Sequence, residues 1–244
     1  MSAPLVSPDT KLEIGSLLFE GLDQIDLTGP FEVLSRIPNA TYRVYGKTAA
    51  PVRDLRGLQI VPDAAIADAP RLDVLHVPGG FGQEALMADA EVLGWIRRQA
   101  EGAVAVLSVC TGALLCGAAG LLQGRRATTH WASQHLLPYF GATPVEARVV
   151  EDGHWVFAAG VTAGIDGALH LAAKLRGADA AKAIQLYMVY APEPPFDSGT
   201  PETAPPEILA AARRAVAGIT AQREATARRV AAELGITVPT AAAD

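Results

Sequence analysis

Apolar residues run through this chain in short unbroken blocks separated by helix-compatible stretches, and that alternation sets the expected architecture. Leu12 to Phe19 reads as a first buried strand, and Val104 to Val109 shows no polar alternation, which suits a strand covered on both faces, as in a parallel sheet. Thr41 to Thr48 and Asp73 to Gly80 extend the set, the latter ended by Pro78 and paired glycines. Helices are expected over Thr28 to Arg36 with Pro30 near the start, around Gln83 to Met87, over Glu91 to Glu101, and directly after Cys110. Val52 to Val61 reads as a hairpin turning near Gly57 and lying outside the alternating core.

Farther along, Arg126 to Thr129 reads as a short strand and Trp131 to Tyr139 as a helix with Pro138 near its end. Ala147 to Glu151 and Trp155 to Ala159 flank Asp152-Gly153, a strong hairpin signal. Helices follow over Ile165 to Leu175 and Ala178 to Tyr190, parted by Gly177. Ala191 to Pro206 holds six prolines, too many for a regular element, and a last amphipathic helix is expected from about Glu207 to Leu234. The expectation is one doubly wound α/β domain over residues 12–190, its mostly parallel sheet sandwiched by helices. Residues 191–235 then form an arm and helix packed on the same domain, with 1–11 and 236–244 as flexible ends.

Composition narrows this picture by exclusion. At 244 residues the chain can bury a sizeable core, and 50% hydrophobic against 19% charged excludes disorder. A formal net charge of −6 argues against a nucleic-acid surface. No long apolar run or basic leader suggests a membrane span or signal peptide. Two cysteines, Cys110 and Cys116, and five scattered histidines give neither a disulfide framework nor metal-ligand spacing, so no metal is expected and a reducing cytoplasm fits.

The candidate chemistry sits where strands end. Cys110 stands at a strand-to-helix corner, thrust out at the carboxyl edge of the sheet, and the following helix aims free N–H groups at the sulfur, favouring thiolate. Two further strand ends converge on the same edge: the Glu20 to Asp26 loop with three carboxylates, and the Gly79-Gly80 turn. Pro78-Gly79-Gly80 reads first as a tight turn, and alternatively Gly79 and Gly80, with the amide of Thr111, form a pocket for developing negative charge. Asp26 reads either as a helix cap or as a partly desolvated proton carrier near the sulfur, with Asp23 an alternative neighbour. His76 is expected buried or paired, and His130 is the one histidine placed to neighbour the site. Val161 and Thr162 read as pocket lining or, for Thr162, as the cap of the next helix. Cys116, farther into the helix, is expected to face the core.

Ile25-Asp-Leu-Thr-Gly-Pro30, Val77-Pro-Gly-Gly80, Ser108-Val-Cys-Thr-Gly112, Ala118-Ala-Gly-Leu-Leu122, Arg126-Ala-Thr-Thr-His-Trp131 and Thr162-Ala-Gly-Ile-Asp166 resemble the DJ-1/PfpI superfamily, and within it the bacterial isocyanide hydratase branch, over about residues 12–235. The resemblance implies a flavodoxin-like, amidotransferase-like fold, with Cys110 as nucleophile, Asp26 as its acidic partner and Thr111 holding the site. It implies a cofactor-independent hydratase of small-molecule isocyanides, forming a homodimer, with no nucleic-acid or membrane partner. Thr111 stands where peptidase-like members carry histidine, and Asp26 where DJ-1-like members carry glutamate, which disfavours both of those activities. The alternative is a ligand- or redox-sensing protein, because two of these motifs also occur in the ligand domains of AraC-type regulators. The single helix and short tail after Pro206 leave no room for their paired DNA-reading units, which need on the order of 100 residues.

Overall fold

A computed structural model describes residues 4–238. In chain order the elements are β1 (Leu12–Leu18), α1 (Gln24–Leu34), β2 (Ala40–Gly46), β3 (Val52–Arg53), β4 (Gln59–Ile60), β5 (Ala64–Ala65), β6 (Val74–Val77), α2 (Gln83–Leu86), α3 (Ala90–Gly102), β7 (Ala105–Val109) and α4 (Gly112–Ala118). They continue with β8 (Arg126–Ala127), β9 (Thr143–Pro144), β10 (Val149–Asp152), β11 (Trp155–Ala158), α5 (Ala163–Arg176), α6 (Ala178–Tyr187) and α7 (Pro206–Glu233). A 3₁₀ helix, Trp131–Phe140, stands where a regular helix was expected.

Seven strands form the main sheet in the order β10-β11-β7-β6-β1-β2-β5, all parallel except the β10–β11 hairpin. The strand β7 shows why its sequence lacks polar alternation. Ala105, Leu107 and Val109 enter one apolar cluster with α1 and α5, while Val106 enters the other with α3 and α4. Both faces are therefore covered, as the chain's apolar blocks require. The chain leaves β1 toward β2 on one side and returns through β6 and β7 on the other, so the sheet switches direction between β1 and β6. A crevice at the carboxyl ends of those strands is the expected ligand position in such sheets.

Several expected elements shift. The first helix begins at Gln24, not Thr28, because Asp23 caps it, accepting a hydrogen bond from the Ile25 N–H at 3.2 Å. Pro30 consequently lies inside the helix, and Asp26 lies in its first turn instead of in a loop. The β3–β4 hairpin is confirmed off the main sheet, whereas β8 pairs only with β9. Of the expected flexible end 1–11, residues 1–3 lie outside the described residues, and Leu5 and Ser7 are tied down. Leu5 N–H donates to the Lys174 carbonyl at 2.8 Å, and Arg176 Nη1 donates to the Ser7 carbonyl at 2.9 Å. Of the expected 236–244 tail, all beyond Val238 lies outside the described residues. Among the described residues, no helix is long and apolar enough to cross a membrane.

Candidate active site

Strand β7 ends at Val109, and Cys110 turns the chain with φ 54°, a left-handed conformation that costs a non-glycine residue about 1–3 kcal/mol. Neighbours hold it there. The Cys110 N–H donates to the Ala158 carbonyl at 2.9 Å, and its carbonyl accepts from Thr129 Oγ1 at 2.7 Å. Gly112 completes the corner, because a Cβ there would sit 2.1 Å from the Val77 carbonyl oxygen. The sulfur thus projects from the sheet edge on a backbone that β6, β11 and Thr129 overdetermine.

Asp26 is fully buried. Its Oδ2 accepts from the Gly79 N–H at 3.0 Å, while Oδ1 is sealed from solvent with no hydrogen-bond partner among the described residues. Burial, reinforced by the charge of Asp23, pushes the Asp26 carboxyl from 3.8 up to about 8; the Gly79 amide and the Cys110 thiol oppose the shift. Pro30, four positions on, has no N–H to complete the helical bond to the Asp26 carbonyl. That carbonyl instead partly offsets burial at the His76 ring, whose Nδ1 lies 2.8 Å from the Tyr42 hydroxyl. Burial nevertheless pulls His76 down to about 3, so this histidine is neutral.

The glycine turn works differently from the expectation. Gly79 donates its N–H to Asp26, and Gly80 donates its own to Thr111 Oγ1 at 3.1 Å, so neither amide is free to stabilise charge on a ligand. These amides position the acid and Thr111. Their lack of side chains is nevertheless required: a Cβ on Gly79 would lie 2.6 Å from Thr111 N and 2.9 Å from Asp26 Oδ2, and Gly80 has φ 137°. Thr111 Oγ1 also donates to the Gly80 carbonyl at 3.2 Å, locking the β7 corner to the β6 turn.

Above the sulfur lies a small cavity of about 70 Å³. Cys110, Thr111, Gly80 and Asp23 form its floor; Leu55, Phe81, Val161 and Val216 supply apolar walls; His130 and Arg223 add polar ones. Of the sequence candidates, Val161 is brought to the cavity and Thr162 is not. Thr162 is exposed at the start of α5, makes no side-chain cap, and accepts from Arg148 Nη2 at 3.2 Å. Sequence reasoning missed Arg223, 143 residues beyond the Gly80 it contacts, as well as Leu55, Phe81, Val216 and Thr129. Only Thr129, within the Ala-Thr-Thr-His-Trp motif, had a local signal.

The expectation of a thiolate favoured by the helix alone is corrected. Burial and then Asp26 drive the Cys110 thiol well above its ordinary value, with the Thr111 N–H and Arg223 pulling the other way. His130 Nδ1 accepts from the Ala132 N–H at 3.3 Å, which fixes the neutral ring with its proton on Nε2, and burial takes its pKa down to about 4. Asp26, which meets the Cys110 thiol from outside the cavity lining, is therefore the acid beside the sulfur that burial raises to about 8. Cys116 is fully buried and raised to about 12 by that burial, a core residue as expected.

Comparison with known proteins agrees with this geometry. Residues 13–174 match the DJ-1/PfpI family. The chain is 50% identical to the isonitrile hydratase of Pseudomonas putida over 92% of its own length and 99% of that protein's. A crystal structure of a ThiJ/PfpI family protein from Pseudomonas syringae superposes with a TM-score of 0.87 at 40% identity, covering 89% of this chain and 91% of that one. The transcriptional regulator CdhR of Pseudomonas aeruginosa is 32% identical, but over only 65% of this chain and 48% of the regulator.

Proposed function

From the premise that the chain belongs to the DJ-1/PfpI family, we propose that it is a cytoplasmic isocyanide hydratase, converting R–NC and water to the N-substituted formamide. The observation that carries this reading is the pairing of a corner cysteine with a buried carboxyl raised to about 8, where that cysteine lines a cavity of only about 70 Å³. The terminal carbon of an isocyanide is electrophilic and also carries a lone pair. It needs one nucleophile and one proton at the same atom. Cys110 and Asp26 offer that pair without metal or organic cofactor.

In the proposed sequence, Asp26 takes the thiol proton as Cys110 Sγ bonds to the isocyanide carbon, then returns it to that carbon, leaving R–N=CH–S–Cys110. Asp26, again a carboxylate, removes a proton from water as its oxygen attacks the same carbon, and the nitrogen receives that proton. The tetrahedral adduct collapses by breaking the C–S bond. Its hydroxyl proton returns through Asp26 to sulfur, releasing R–NH–CHO. Thr111 holds the corner throughout, while Leu55, Phe81, Val161 and Val216 receive the R group.

Purified protein incubated with cyclohexyl isocyanide and followed by NMR is expected to yield the formamide. Acid quench during turnover should add one substrate mass to Cys110. Absence of formamide refutes the activity; turnover without adduct refutes the covalent route. A homodimer is also proposed. Leu186, Tyr187, Val189, Phe196 and Ile208 are all more than half exposed along the end of α6, the proline-rich arm and the start of α7. Light scattering should report twice the chain mass, and Leu186→Glu with Val189→Glu should reduce it.

A further inference from the structure

The guanidinium of Arg223 is an anomaly in this cavity. The residue is 3% exposed, yet among the described residues no carboxylate pairs with it. Its two hydrogen-bond partners are uncharged: Nε donates to Gln83 Oε1 at 3.0 Å and Nη2 to the Gly80 carbonyl at 2.8 Å. Glu84, the nearest acid on α2, instead receives the Thr226 hydroxyl at 2.6 Å. A buried cation without a counter-charge is expensive, and besides its two hydrogen bonds the guanidinium has the Phe81 ring, with Cζ 5.7 Å from its centroid. Among the described residues Nη1 makes no hydrogen bond, and Arg223 lines the same cavity as Cys110.

We infer that Arg223 is the counter-ion of the Cys110 thiolate, a cation delivered by α7 to the cavity that the sulfur lines. Chemical class decides this over binding of an anionic substrate group. The cavity lining already holds an acid, Asp23, beside the Cys110 thiol, with the buried Asp26 carboxyl next to that thiol, and most of the remaining lining is apolar. The groups facing the sulfur are Asp26 and Asp23 from α1, His130 beside the 3₁₀ helix, and Arg223 from α7. His130 is neutral, so Arg223 is the single fixed positive charge among them. The effect is reciprocal: burial lowers the Arg223 pKa, and a charge on Cys110 raises it first among the opposing causes. Arg223 thus acts on the free enzyme, before any substrate arrives. This role deepens the hydratase reading but needs only an ionisable Cys110.

The test is alkylation of Cys110 by iodoacetamide, followed by intact mass from pH 6 to 10, in wild type, Arg223→Met, Arg223→Lys and Gln83→Glu. Cys110→Ser, which retains only buried Cys116, sets the background. An opposite charge at close range shifts a pKa by about 1–3 units. Arg223→Met should therefore alkylate about tenfold or more slowly at pH 7.5, with its pH profile displaced to higher pH. Arg223→Lys should recover most of the rate. Gln83→Glu leaves Arg223 in place but gives it a carboxylate, and should slow alkylation in the same direction. A Met variant with native near-UV circular dichroism and the wild-type pH profile overturns the proposal. If that variant does not fold, a wild-type profile in Gln83→Glu overturns it. Because no isocyanide is used, a chain that fails to hydrate isocyanides but shows the displaced profile refutes the hydratase reading and supports the counter-ion.

Discussion

The floor and the roof of the cavity are built on opposite plans. The floor is made where β1, β6 and β7 end: Cys110 held at φ 54°, Thr111 and Gly80 joined in both directions, and beside them Asp26, from the first turn of α1, joined to Gly79 at 3.0 Å. The roof comes from a hairpin tip, the residue after the glycine turn, and α7: Leu55, Phe81, Val216 and Arg223. Chemistry that tolerates no displacement is placed on rigid strand ends, and shape and charge that can vary are placed on appended elements. The comparison teaches that reaction type and substrate choice are separable here, and mutations should separate them.

The largest effect belongs to the floor. Cys110→Ser should abolish hydration and the acid-stable adduct together, with the fold intact by circular dichroism. Next, Asp26→Asn should lower kcat by about 10²–10⁴-fold, the usual contribution of a positioned acid–base group. Its pH behaviour adds a sign. The wild-type rate should rise toward pH 8, as Asp26 gives up its proton and becomes the base for Cys110. Stability should run the other way. A carboxyl raised from 3.8 to about 8 binds its proton more tightly folded than unfolded, so wild type loses stability as pH rises between those values. Asp26→Asn should lack that loss, and melting curves at pH 5 and pH 8 would show the variant gaining on wild type. Equal gaps at both pH values would contradict a buried neutral acid.

Gly79→Ala should come third. Its Cβ would meet Thr111 N at 2.6 Å, and overpacking of this kind costs about 1–3 kcal/mol. A fall in kcat with little change in KM is expected, since the methyl displaces Asp26 and Thr111 and not the substrate. Smallest are the roof variants Phe81→Ala and Val216→Ala. Each should raise KM for cyclohexyl isocyanide by about fivefold, roughly 1 kcal/mol, and leave kcat within about twofold. If Phe81→Ala instead lowers kcat as Gly79→Ala does, the division between floor and roof fails.

The same division explains what the sequence made legible. Strands covered on both faces, the Pro-Gly-Gly turn and the Cys-Thr-Gly corner are written in adjacent residues, so the sheet order's consequence, three strand ends at one edge, could be anticipated. Thr162 was misplaced because a helix-start threonine looks alike whether it faces a pocket or Arg148. The glycine amides were read as free because sequence does not reveal which acceptor has already taken an N–H. Arg223 could not be found at all. It is one of five arginines on a helix that reads as amphipathic, and only the docking of α7 against α2 distinguishes it from its solvated neighbours.

That Arg223 bonds to Gly80 across 143 positions has a consequence for how the molecule is born. A chain emerging from the ribosome presents β1, β6, β7 and their helices well before α7, and domains tend to fold from the N-terminal side as they emerge. The strand-end floor can assemble first, with Asp26 beside the cysteine but no cation to favour its thiolate. The charge that raises its reactivity arrives with the last helix, so a half-made protein carries a less reactive thiol than the finished one.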